Sequence, residues 1–403
     1  MTLVRSLQQR SFAFLWTGQT VSRFGDSLYR IALAWWVLEK TGSAAAMGTV
    51  LIFSFLPMLL FLLVGGIAVD RLPRGRVMLA SDLLRGAIVA LVAALAFAQM
   101  LEIWHVYIAS MVFGFVDAFF QPAYTAIVPE IVPSQLLPSA NSLTSLSRQI
   151  TGIAGPMLGA AIVALGGTPA AFALDAMSFF VSAVCLLPIV GLLGVQAKEA
   201  ISSSVLHDLK EGLGTVFGSP WLWLTIAIFA LANVALDGPI AVSLPFLVKD
   251  TLHADVDVLG LLYSCSSLGA VVGAVWLGRF KRIRRRGLVT YGAGVVSGIA
   301  VLVSGMPIPV VAICLAFFVE GFAVATFGLV WTNTLQELVP VDRLGRVSSI
   351  DMLGSYVLLP IGYGLTGWVT DAFGASMMFV LGGGIGAGLI ALGLLHPAIR
   401  GLD

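Results

Sequence analysis

Two stretches of the chain carry one frame: Thr125-Ala126-Ile127-Val128-Pro129-Glu130-Ile131-Val132-Pro133 and, 207 residues later, Thr332-Asn333-Thr334-Leu335-Gln336-Glu337-Leu338-Val339-Pro340. Each closes an apolar run with Glu-x-Val-Pro, a loop motif that shared hydrophobicity alone would not repeat. Carrying the frame over 125–160 and 332–367 gives nine identities. They are Thr125/Thr332, Glu130/Glu337, Val132/Val339, Pro133/Pro340, Leu137/Leu344, Ser142/Ser349, Leu146/Leu353, Gly155/Gly362 and Leu158/Leu365. Near an earlier apolar run the best offset becomes 212, which sets Gly66 opposite Gly278. The chain reads as one unit built twice.

Composition names the solvent of that unit. Of 403 residues, 59% are hydrophobic and 11% charged, with a mean hydropathy of +0.99. A soluble chain of this length carries about 25% charged residues, so most of this surface must face lipid. A net charge of +1 excludes a nucleic-acid binder, which needs a basic surface for phosphates. With about 20 apolar residues per crossing, twelve spans are expected. The first six lie near 11–38, 45–69, 77–99, 104–125, 140–165 and 169–193. The second six lie near 221–247, 257–278, 287–305, 308–333, 346–369 and 374–396. The expected fold is therefore an all-α membrane protein of two pseudo-symmetric six-helix bundles, 1–194 and 221–403. They are joined by a polar linker, 195–220, in which Val205, Leu206, Leu209, Leu213 and Phe217 mark an amphipathic helix on the membrane surface.

Charge placement sets the orientation. With both termini cytoplasmic, 16 of the 22 Lys and Arg fall in cytoplasmic segments, Arg23, Arg30, Arg85 and Arg148 lie within spans, and only Lys40 and Lys249 fall outside. That is the positive-inside bias expected of a prokaryotic inner or plasma membrane protein. Met1 to Arg10 contains no cleavage-type leader, so the first apolar run is expected to stay in the chain. Cys185, Cys265 and Cys314 sit in apolar runs with no metal or disulfide spacing. No nucleotide-binding P-loop, H-E-x-x-H or G-x-S-x-G occurs, and Gly382-Gly383-Gly384-Ile385-Gly386-Ala387 lies inside an apolar span rather than after a strand. Neither an enzyme nor a sensor with an appended soluble domain is indicated, and no metal or cofactor is expected.

Between the second and third spans the chain reads Gly65-Gly66-Ile67-Ala68-Val69-Asp70-Arg71-Leu72-Pro73-Arg74-Gly75-Arg76. This resembles the G-x-x-x-D-R loop of the major facilitator superfamily. Three further segments resemble its drug:proton antiporter branch, of the macrolide-efflux and enterobactin-exporter type. They are Ser22-Arg23-Phe24-Gly25-Asp26, Phe120-Gln121-Pro122-Ala123 with Val128-Pro129, and Gly155-Pro156-Met157-Leu158-Gly159. The second half departs from the loop pattern: its counterpart, Gly278-Arg279-Phe280-Lys281-Arg282, has arginine where the first half has Asp70. No arginine lies in the fourth span. The resemblance implies a secondary transporter, driven by the proton gradient and exporting a small molecule. A duplicated helical unit carries the same implication, with the site between the repeats near the midplane.

Seven acids fall within spans: Asp26, Asp82, Asp117, Asp175, Asp237, Glu320 and Asp351. A charge at bilayer centre costs about 2.5–3.5 kcal/mol on insertion scales, so such groups face protein or water. Asp26, Asp117, Asp237 and Glu320 lie near mid-span on helices 1, 4, 7 and 10, which line the central cavity in the resembled fold. Asp237 and Glu320 have no basic residue within a turn and are the first candidates to load and release a proton, with Asp117 third. Helical spacing gathers Gln19, Ser22, Tyr29 and Arg30 around Asp26, and Phe113, Phe120, Gln121 and Tyr124 around Asp117. Asn233 accompanies Asp237, while Phe317, Phe327 and Trp331 accompany Glu320. Together they suggest an aromatic surface with polar handles for lipophilic, amphipathic or cationic ligands; the plainer alternative is that each aromatic simply faces lipid.

The remaining motifs have structural readings. Asp82 and Arg85, three apart, are expected to neutralise each other. Asp175 and Asp351 are placed near span ends, meeting headgroups or helix dipoles. Gly66, Asp70, Arg71, Arg74 and Arg76 form a candidate gate, its arginines bridging acids across the halves, or serve only to fix topology. Gly152, Gly155, Pro156 and Gly159 form a small-residue ridge for close packing or a hinge. The expected partners are a small-molecule substrate and membrane lipid, with the chain acting as a monomer. An uptake symporter or a lipid or siderophore carrier of the same fold is the rival expectation.

Overall fold

The computed structural model describes residues 4–190, 205–280 and 283–403, and all regular structure among them is helical. Helix α1 (Arg10–Thr41) stops at Gly42, whose φ of 60° is the left-handed turn that ends a helix. Helix α2 (Ala44–Arg71) starts one residue after its cap, Ser43, whose hydroxyl accepts from the Ala46 amide at 3.3 Å. Then come α3 (Arg74–Phe97), with Pro73 immediately before it, and α4 (Ile103–Ile131), which opens on a reciprocal cap between Glu102 and His105. Helix α5 (Leu137–Val190) is interrupted at Gly167, φ 74° and ψ 171°, a conformation close to glycine-only. Its two arms are separate crossings.

The linker holds α6 (Val205–Phe217); its residues 195–204 lie outside the described residues. Helix α7 (Pro220–Gly238) runs on through wide turns at Pro239–Ser243 and Leu247–Thr251. Then follow α8 (Val256–Leu277), α9 (Arg286–Ser304) and α10 (Val310–Leu338). The eleventh span is split into α11 (Val341–Tyr356) and α12 (Leu359–Phe373), with Pro360 at the second position of the latter. Helix α13 (Ala375–Gly393) and the short α14 (Pro397–Arg400) complete the chain.

Among the described residues, ten stretches are long and apolar enough to cross a membrane. One of them, Ser134–Val190, is two crossings because of the Gly167 break. Helix α1, 32 residues long, escapes a hydropathy count only because Arg23, Asp26 and Arg30 sit within it. The architecture is thus twelve transmembrane helices. They divide into two compact units, Met1–Ala200 with Asp255–Gly260 and Ile201–Ala254 with Leu261–Asp403.

The duplication legible in the sequence reappears as contacts. In the first unit Gly155 of α5 abuts Ser27 of α1; in the second Gly362 of α12 abuts Val234 of α7, both positions displaced by 207. Gly114 of α4 meets the Ser54 backbone, and Gly321 of α10 meets the Ser266 backbone, with offsets of 207 and 212. The second interhelical break also repeats, since Gly374, at φ 87° and ψ 157°, stands 207 residues after Gly167. Without a hydrophobic drive in lipid, association rests on such close small-residue contacts.

Candidate functional site

In the second unit, α7, α10 and α11 place three carboxyls on the wall of a cavity of about 310 Å³. Asp237, Glu320 and Asp351 line it together with Asn233, Phe327 and Trp331. Among the described residues, each of these acids accepts from a neutral donor. The Tyr363 hydroxyl donates to Asp237 Oδ2 at 2.8 Å, and the Ser266 hydroxyl donates to Glu320 Oε2 at 2.7 Å. Trp331 Nε1 donates to Asp351 Oδ2 at 3.0 Å. Among the described residues, no lysine or arginine forms an ion pair with any of the three. Asn233 spends its amide on the Ser355 carbonyl, 3.1 Å away, and fixes α7 against α11. Phe327 packs on Phe229 with centroids 4.3 Å apart and the rings tilted by 31°, and Trp331 meets Trp221 edge to face. Phe317 is elsewhere: it is 2% exposed and packs on Phe379 in the core, because a position three before Glu320 has turned past the cavity wall.

In the first unit four carboxyls converge instead on one guanidinium. Asp26 of α1, Asp82 of α3, Asp117 of α4 and Asp175 of α5 all feel the field of Arg85. The ion pair itself is Arg85 Nη1 to Asp117 Oδ1 at 3.3 Å. This corrects the expected Asp82–Arg85 pair: adjacency on one helix loses to a partner across the bundle. Asp82 accepts from Ser182 at 2.7 Å, and Gln19 spans Ser182 at 2.9 Å and Asp82 at 3.5 Å. Gln19 and Ser22 are consequently buried in the bundle. Asp175, read from sequence as a span-end residue, is fully buried beside Gly25 and Ser178. Asp351 is likewise a cavity residue and not a headgroup contact.

Aromatic rings surround the acids. Tyr29 stacks on Phe113 with centroids 5.5 Å apart and interplanar angle 3°. Phe120 carries the Arg85 guanidinium 4.1 Å above its ring, and Arg23 lies 5.2 Å over Tyr124. Arg30 and Gln121 are exposed.

At the loop ends, Arg74 pairs with Glu130 of its own unit and donates to the Ala126 carbonyl at 3.3 Å. Arg286 pairs with Glu337 in the second unit. The glutamate of each Glu-x-Val-Pro thus meets the arginine that begins the third helix of its half, and Arg286, 212 residues after Arg74, is its counterpart. Arg71 and Arg76 are exposed; Gly66 and the Asp70 side chain lie outside the described residues. Gly155 and Gly159 form the face against Ser27, Leu28 and Ile31 of α1; Gly152 and Pro156 lie on the same arm of α5, and the Pro156 backbone meets Gly260.

Residues 2–396 match the family described as transmembrane secretion effector. The chain belongs to this family of the major facilitator superfamily. It is 24% identical to macrolide efflux protein A of Streptococcus pyogenes over 96% of both chains. It is 28% identical to the multidrug efflux pump Tap of Mycolicibacterium fortuitum over 94% of both. Its fold is similar to that of a bacterial homologue of the iron transporter ferroportin in an inward-facing state, with a TM-score of 0.73 at 15% identity over 95% of this chain and 98% of that one. The protein is therefore a multi-pass membrane transporter of the major facilitator superfamily and not an enzyme.

Within this secretion effector, Asp82, Asp175 and Asp351 join the site residues that sequence spacing had already gathered. Their signal was present, since each is an acid inside an apolar run, but a hydropathy window does not give depth. Tyr363 and Ser266, the donors to Asp237 and Glu320, carry no sequence signal: each lies on a helix distant in the chain from its acid.

Proposed function

We propose that this chain exports lipophilic or amphipathic small molecules in exchange for inward-moving protons, by alternating access between its two bundles. The carrying observation is the cavity of the second unit, where Asp237, Glu320 and Asp351 accept, among the described residues, from hydroxyl, phenol and indole donors. A carboxyl beside a fixed arginine is held ionised; one beside neutral donors can exist with or without its proton, which is what a proton carrier requires. The apolar remainder of the wall, with Phe327 and Trp331, suits a lipophilic ligand. Export as the direction draws support from the relatives, which are named for efflux.

In this reading the moving parts are the bundles 1–194 and 221–403, joined by 195–220. The chain works as a monomer in a prokaryotic cytoplasmic membrane with both termini inside. Its energy source is the proton gradient, without a bound cofactor.

The test is proton stoichiometry on binding. Adding a transported dye to the purified protein in weakly buffered detergent should release protons, because an antiporter exchanges one ligand for the other. Proton uptake on dye addition would instead mark a symporter, and no proton change would contradict coupling altogether.

A further inference from the structure

The buried acids of the first unit are mismatched with their one arginine. Arg85 uses a single nitrogen, Nη1, on Asp117, while its Nε and Nη2 are buried without partners. In the same cluster Asp82 Oδ1 and Asp175 Oδ2 are buried acceptors without partners. Unmet donors and unmet acceptors side by side each cost about 1–3 kcal/mol, more when charged, so the arrangement is poised to exchange. Asp82 stands three residues before Arg85 on α3, on the same helix face, within the swing of the guanidinium. Arg85 thus has two seats. In the occupied one, its guanidinium lies 4.1 Å over Phe120 and 5.4 Å from the Phe179 ring and is tied to Asp117. In the other, it would turn to the open oxygen of Asp82.

The occupied seat is a site for a cation: two aromatic faces and a carboxylate, with the stacked Tyr29–Phe113 pair in the same bundle. Asp117 keeps 30% of its side chain exposed while Arg85, Phe120, Phe179 and Asp82 are buried, so a ligand would reach the seat from the Asp117 side. We propose that Arg85 is a tethered stand-in for ligand, and that an organic cation with an aromatic or aliphatic body takes the Phe120–Phe179–Asp117 seat as Arg85 moves to Asp82. The proposal supplies the substrate class of the exporter proposed above and rests on that reading. The ligand displaces Arg85 only by binding the vacated arrangement better than the filled one, and Asp82 supplies the compensating partner. Discrimination between cationic and neutral substrates would then reside in the first unit, apart from the acids of the second.

Equilibrium binding to the full-length protein in detergent, with no gradient, tests this. The probes are tetraphenylphosphonium and the neutral N-phenylnaphthylamine. Arg85→Gln removes the tethered cation and should tighten tetraphenylphosphonium binding about tenfold. Asp117→Asn removes the anchor and Asp82→Asn removes the alternative seat, so each should weaken it about tenfold while leaving the neutral probe unchanged. Should Arg85→Gln fail to purify, the two asparagine variants decide the matter alone. Unchanged cation affinity in both, or equal changes for both probes, overturns the proposal. If binding follows the predicted pattern but a pH gradient moves no dye in the parent, the export reading falls and the cation seat stands.

Discussion

Asp237 is met by one phenol and Glu320 by one hydroxyl, and each bond joins helices far apart in the chain. Hydrogen bonds to a charged group contribute about 1.5–3 kcal/mol, so Tyr363→Phe should lower the thermal melting point in detergent measurably and loosen α12 from α7. An unchanged melting point would show that this phenol does not hold the acid. At this scale the sequence disclosed which residues are chemically conspicuous but not whom they meet. A carboxylate within an apolar run declares itself through its insertion cost, and Asp26, Asp117, Asp237 and Glu320 are found on that ground alone. Partners depend on packing. Arg85 bonds across to Asp117 rather than along its own helix to Asp82, and Phe317, on the same helix as Glu320, faces the core. The depth of Asp175 and Asp351 was hidden because span ends are blurred in hydropathy by several residues, about one helical turn.

Among the elements, the two breaks at Gly167 and Gly374 stand out, one in each half at the 207-residue offset. Both have positive φ with extended ψ, a region closed to side chains. Gly167→Ala and Gly374→Ala should each destabilise by about 1–3 kcal/mol, read as a fall in melting temperature. Gly388→Ala in α13, where an added Cβ meets nothing within 4 Å, is the control and should be neutral or slightly stabilising, by about 1 kcal/mol at most. Equal effects at all three positions would contradict the strain argument. The helices themselves were legible to within about a turn or two at their ends, since twelve apolar runs separated by short polar connections leave few choices. What hydropathy did not show was the split of the eleventh span at Val357 and Leu358, or the wide turns that carry α7 onward from Pro239. Those depend on where a proline falls relative to its neighbours, not on how apolar the segment is.

For the whole molecule, duplication is the organising fact, and the paired ions at its loop ends offer a direct test. Arg286→Glu and Glu337→Arg should each impair folding or transport, while the double variant should recover both, as a swapped pair would. Failure of the double variant to recover would remove the pair from the mechanism. The proposed orientation, with both termini inside, rests on the basic loops. In a background without native cysteines, an impermeant thiol reagent applied to intact cells should label Ser43→Cys and spare Gly218→Cys, and the reverse pattern would invert the topology. The two units differ in one respect that duplication alone would not give, since one set of acids is served by an arginine and the other by neutral donors. The central claim concerns the second set. It is tested most directly in proteoliposomes with an imposed pH gradient, comparing dye movement by the parent, Asp237→Asn and Glu320→Gln. The account predicts that both variants bind dye and lose gradient-driven movement; movement with an undiminished dependence on the gradient in both would contradict it.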